Sequence, residues 1–154
     1  MSFRSLLSLA CLMMLTSSAL AGGWDTGPFD NDDALDWVWA LTESNNLSVI
    51  DAALDGVLES RDYIEAPTAS MAIAAAEVLA ALAGNPADAL PEEVTAWVDA
   101  NELDVNTDMA AKARKVIKLV MDDERSELAQ LWGDAPPLAS AWRAGLEDLA
   151  QRLQ

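Results

Sequence analysis

The chain has 154 residues, with 26 acidic side chains against nine basic ones, one cysteine and no histidine, for a net charge of −17. That charge argues against nucleic acid and anionic membranes as partners, and the missing residue types exclude a Ser-His-Asp triad and the usual His/Cys zinc sites. Apolar residues make up 52% of the chain, so the acidity does not signal disorder, and the length suits one domain with a real core.

Residues 1–21 read as a cleavable export signal. Arg4 supplies the positive start, Leu6 to Leu15 a short apolar run, and Ala19-Leu20-Ala21 a small-x-small cleavage site. The run falls short of the roughly 20 residues a spanning helix needs, so no stable membrane insertion is expected after cleavage. Ser8-Leu9-Ala10-Cys11 lacks the leucine that a lipid-attachment site carries three residues before its cysteine. The expected product is residues 22–154, a single helical domain, periplasmic or extracellular. It has no thiol, and losing Arg4 makes it one charge more negative.

The stretch from Gly22 to Ala34 packs glycines, a proline, two aromatics and acids into one run. Gly27-Pro28 is turn punctuation. Asp30, Asn31, Asp32 and Asp33 then stand where a helix leaves N–H groups free, and negative charge there suits the helix dipole. Trp24 and Phe29 are expected to fold back as apolar plugs. The competing reading is a Ca²⁺ site built from Asp25, Asp30, Asp32 and Asp33, since hard cations seek clustered carboxylates. The spaced Asp loop with a twelfth-position Glu is absent.

The segment Gly23-Trp24-Asp25-Thr26-Gly27-Pro28-Phe29-Asp30-Asn31-Asp32-Asp33-Ala34-Leu35-Asp36-Trp37 resembles the start of a bacterial family, domain of unknown function 4259. Members typically open Met-Gly-Ala-Trp-Gly-Thr-Gly-Pro-Phe, followed by acids and Ala. This chain has Gly23 for the usual Ala and Asp25 for the usual Gly. Tyr63-Ile64-Glu65-Ala66-Pro67 and Ala74-Ala75-Ala76-Glu77-Val78 form a second similar block. The resemblance spans roughly residues 22–154. It implies a domain boundary and a helical fold, and it brings no catalytic residue, because the family carries no established activity.

Helical periodicity dominates the rest. A first helix is expected over Asp32 to Ser44, with Ala34, Leu35, Val38 and Leu41 inward and Trp37 and Trp39 widening that stripe. A second covers Leu47 to Ser60. Arg61 to Pro67 reads as a connector. A third helix, Thr68 to Ala83, is apolar all round and so central; Gly84-Asn85-Pro86 ends it. Pro91 opens a fourth helix with Val94, Trp97 and Val98 inward. Asn106-Thr107-Asp108 caps a fifth, Met109 to Asp122. A short helix, Ser126 to Trp132, precedes a break at Gly133 to Pro137. The last helix carries Leu138, Trp142, Leu146, Leu149 and Leu153. The expected fold is all-α, a compact array of six or seven helices packed antiparallel around the central Ala-rich one.

Glu77 is the single charge in that central helix. Buried carboxylates need partners or a raised pKa, so Glu77 reads as a structural anchor that accepts hydrogen bonds from the Gly-rich opening stretch or pairs with a basic residue, with general acid or ligand as the functional alternative. Together with Trp24, Gly27, Pro28, Phe29, Asp30 and Asp33 it makes up the expected structural motif. Lys112, Arg114, Lys115 and Lys118 form one basic island, read as a solvated face. Arg143 and Glu147 are spaced as a helical ion pair. Trp39 is the tryptophan placed worst for burial and the candidate surface contact.

No phosphate-binding or dinucleotide loop is present, so no cofactor is implied. The composition points to a non-catalytic, exported acidic interaction module that binds a basic protein or peptide. The alternatives are a carboxylate Ca²⁺ binder, with no firm metal ligands assigned, and a carboxylate-dependent hydrolase, the chemistry left open once nucleophile triads are excluded.

Overall fold

The computed structural model describes residues 26–154. The expected leader, Trp24 and Asp25 lie outside these residues. The described chain is all-α, with seven helices: α1 Asp32–Thr42, α2 Ser48–Glu59, α3 Ala66–Leu82, α4 Glu92–Ala100, α5 Thr107–Val120, α6 Glu127–Gly133 and α7 Pro136–Arg152.

Helix α3 packs against each of the other six. Its composition explains that position. Ala72, Ala74, Ala75, Ala76 and Ala80 are fully buried, and the small side chains leave room for close neighbours. The neighbours bring the bulk: Leu41, Ile50, Leu54, Val94, Ile117 and Leu149 join the same core. Most of the apolar area removed from water therefore belongs to the surrounding helices, and α3 is the post they share.

Caps fix the starts of the helices. Asn31 Oδ1 accepts from the Ala34 N–H at 2.8 Å, Asn106 Oδ1 from the Met109 N–H at 2.8 Å, and Ser126 Oγ from the Ala129 N–H at 3.3 Å. At the end of α3, Gly84 takes a φ of +87°. Its N–H reaches the Ala81 carbonyl and the Asn85 N–H the Ala80 carbonyl, which is the Schellman closure.

Several boundaries differ from the sequence reading. Helix α3 begins at Ala66, so Pro67 lies inside its first turn, where a missing N–H costs nothing. Glu127 Oε2, from α6, accepts from the Ala66 N–H at 2.7 Å and caps the helix from 61 residues away. The connector is held just before this. The Ile64 N–H donates to the Arg125 carbonyl at 2.7 Å, and the Glu127 N–H donates to the Ile64 carbonyl at 3.0 Å. Ile64 itself is fully buried. Pro91 caps α4 and does not open it. Gly133 belongs to α6, and Pro136 already starts α7, so the expected break shrinks to Asp134 and Ala135.

Two expected inner residues face outward. Leu35 is 49% exposed, because the buried side of α1 centres on Ala34, Trp37, Val38 and Leu41. Leu138, in the first turn of α7, is 43% exposed. Trp39, assigned both to the widened stripe and to a surface contact, is 70% exposed. Trp97 Nε1 donates to the Ser44 carbonyl at 2.7 Å and ties α4 to the end of α1.

Candidate functional site

The opening turn, α3, α6 and α7 enclose a cavity of about 140 Å³. The turn is self-supporting. The Gly27 N–H donates to Asp30 Oδ2 at 3.0 Å, and the Asp30 N–H donates to the Gly27 carbonyl at 3.2 Å. A Cβ on Gly27 would sit 2.1 Å from Asp30 Oδ2, so this closeness is what requires glycine there. Pro28 is half-buried on the cavity wall, and Phe29 turns into the core.

Helix α3 contributes Ser70, Ile73 and Glu77 to the wall, spaced so that they share one face. Helices α6 and α7 contribute Trp132 and Trp142, whose rings stack with centroids 6.2 Å apart and planes 24° apart. Arg143 sits over the Trp142 ring, its Cζ 5.8 Å from the centroid. It also pairs with Asp123 and donates to the Met121 carbonyl at 3.0 Å. The expected pair with Glu147 does not form; Arg143 pairs with Asp123 instead.

Glu77 is 2% exposed, and both its oxygens are taken. Arg152 Nη2 donates to Oε1 at 2.7 Å and Nη1 to Oε2 at 2.9 Å. This is the bidentate fork that favours arginine over lysine. Arg152 Nε reaches Asp148 Oδ2 at 2.7 Å, and Nη1 also donates to the Asn85 carbonyl at 3.2 Å. Asn85 Nδ2 returns a bond to the Arg152 carbonyl at 3.0 Å. Hydrogen bonding from Glu77, opposed by burial and aided by Asp148, raises the Arg152 pKa above its ordinary value.

Local pattern in the sequence singles out neither Arg152 as the partner of Glu77 nor Asp148 as a further partner of Arg152. The signal available was that a charge in the middle of an apolar helix demands a cation, and that the chain holds only nine basic residues to choose from.

The acids of the opening stretch do not converge. Asp30 bonds its own turn, while Asp32 and Asp33 point to solvent from the first turn of α1. Among the described residues, no group of three or more His, Cys, Asp or Glu side chains is placed to hold a metal ion. Asp25, the fourth candidate, and Trp24 lie outside those residues.

The basic island is divided. Lys112 bridges Asp51 and Asp55 of α2, and Arg114 donates to the Leu153 carbonyl; Lys115 and Lys118 stay exposed. Partial burial lowers the Lys112 pKa, and the two carboxylates more than offset it, leaving a net upward shift. Half of the expected solvated face therefore joins helices to one another.

Chemically, the cavity is a small amphipathic chamber, lined by two indoles and by a salt-bridged carboxylate whose two oxygens are both engaged by Arg152. Its volume suits a few waters or one ring-sized group. No described helix is long and apolar enough to cross a membrane. No curated protein and no solved structure matches the chain. The family described as Domain of unknown function (DUF4259) matches residues 22–145, which take in the opening turn, α3, α6 and the cavity wall as far as Gly145, and the chain belongs to that family.

Proposed function

We propose that the chain is a non-catalytic helical interaction module whose acidic surface binds a basic protein or peptide, acting outside the cytoplasm after the leader is removed. The observation that carries this reading is the unneutralised surface. The described ion pairs engage Asp51, Asp55, Glu77, Asp123 and Asp148, and the other described acids form no ion pair with a described residue. A surface of one sign speeds the encounter with an oppositely charged partner and discourages like-charged ones.

The test is association with a cationic peptide across ionic strength. The on-rate is expected to fall at least about tenfold between low and physiological salt. An on-rate that does not change with salt overturns the reading.

A carboxylate hydrolase has one observation behind it, the cavity beside Glu77. The Arg152 fork counts against it, since a general acid or base needs an oxygen free to exchange a proton with substrate. A Glu77→Gln variant that folds and keeps full activity on any substrate found for the protein would remove Glu77 from such chemistry.

A further inference from the structure

The outer face of α1 gives the interaction reading a place. Trp39 is 70% exposed, the most of any large hydrophobic residue among those described, and Leu35, one turn earlier, is 49% exposed. Around this apolar pair stand Asp36 at i−3, Glu43 at i+4 and Asp32 at i−7 from Trp39, all exposed. At helical spacing these positions fall on the same side as the indole. None of the three carboxylates has an ion-pair partner among the described residues. The opposite side of α1 is fully used, since Ala34, Trp37, Val38 and Leu41 are all buried.

We propose that this face is a docking surface for a cationic amphipathic segment of another protein. A Lys or Arg of the partner stacks on the Trp39 ring, flanking cations pair with Asp32, Asp36 and Glu43, and an apolar side chain covers Leu35. The indole face attracts cations through its quadrupole, and nearby carboxylates add to that attraction. Apolar anchors ringed by charge fit a partner that lays one helix face against another. Two copies of this chain joined through the same face would set these acids against each other, so charge complementarity selects a basic partner over self-association. The inference rests on the interaction reading above and adds where the partner sits.

The experiment titrates the full chain with a fluorescent helical peptide carrying Lys and Leu at i, i+3 and i+4 spacing. Anisotropy is read at several salt concentrations. Trp39→Ala is expected to weaken binding about tenfold or more, as an interfacial anchor does. Asp36→Asn with Glu43→Gln is expected to weaken it severalfold and flatten the salt dependence. Two controls sit elsewhere. Glu102→Gln with Asp104→Asn removes the same charge from the connector before α5, and Leu138→Ala removes an exposed leucine from α7; both are expected to change binding less than about twofold. Equal loss from both carboxylate pairs, with Trp39→Ala silent, overturns this face while leaving an acidic interaction module standing. Absence of binding by the unmodified chain overturns both. Sedimentation showing a dimer that Trp39→Ala abolishes overturns the basic partner in favour of a second copy.

Discussion

Arg152 stands 75 residues from Glu77 in the chain, yet offers both ends of its guanidinium to that one carboxylate, at 2.7 and 2.9 Å. The pair joins the centre of α3 to the last turn of α7 and walls the cavity between them. Burying two charges costs as much as their attraction returns, so the pair is better understood as a lock than as a source of stability. Arg152→Met alone strands the buried Glu77 carboxylate, with an expected cost of about 3–5 kcal/mol, whereas Glu77→Met alone leaves Arg152 its Asp148 and Asn85 partners and is expected to cost less. The double variant Glu77→Met with Arg152→Met is expected to lose distinctly less than the sum of the singles. Urea unfolding of the four proteins checks this, and additive losses would show that the two side chains act independently.

Glu127 does for α3 what a local capping side chain normally does. Its carboxylate accepts from the Ala66 N–H across a gap of 61 residues. Glu127→Ala is expected to cost about 1–2 kcal/mol, the worth of a strong cap, and the loss appears as a lower urea midpoint with an unchanged slope. A change below about 0.3 kcal/mol would mean that the Ile64 backbone bonds suffice to seat the helix.

Lys112 clamps α5 to Asp51 and Asp55 of α2. Its folded pKa is raised above the unfolded value, so its contribution is fully present below an unfolded lysine's pKa of about 10.4 and fades as pH rises through the higher folded value. The carboxylates are more than a third exposed, which holds the expected effect to about 0.5–1 kcal/mol. Lys112→Met should trail the unmodified protein by that amount from pH 7 to 10. The gap should close in stronger alkali, as a pH series of unfolding curves would show. A gap that widens there would reverse the assignment.

The alanines of α3 are spacers. Ala75 is fully buried in a helix touched by all six others. Ala75→Leu is expected to cost about 1–3 kcal/mol or more, because a packed core cannot make room for three extra carbons. Ala83 is exposed just past the helix end, and Ala83→Leu should change stability by less than about 0.5 kcal/mol. Thermal melts of both separate packing from general hydrophobicity.

Much of this architecture is legible in the sequence. An Ala-rich, all-round apolar segment ending in Gly84-Asn85-Pro86 has few places to be except the middle, and Asn31 and Asn106 announce helix starts through local hydrogen bonding. The unread parts depend on distant neighbours. Nothing local says that Glu127 caps Ala66, that Ile64 bonds the backbone beside Ser126, or that Arg152 serves Glu77. Arg143 shows the same limit, since its spacing to Glu147 suggests a pair that tertiary contact with Asp123 replaces. Leu35 shows another, because apolar periodicity marks a face broadly and only packing decides where the face ends.

The exposure of Trp39 also makes the molecule optically legible. Trp37, Trp97, Trp132 and Trp142 are buried, so among the described indoles Trp39 alone meets the solvent broadly. Its emission should lie to the red of theirs and answer first to quenchers. Asp32, Asp36 and Glu43 surround it, so caesium ions should be drawn to that indole and iodide repelled, the contrast shrinking as added salt screens the carboxylates. The stacked Trp132 and Trp142 pair should give a near-ultraviolet dichroism signal that vanishes when α6 parts from α7. One spectrum thus follows the electric field on the outside of α1, and another the closure of the cavity.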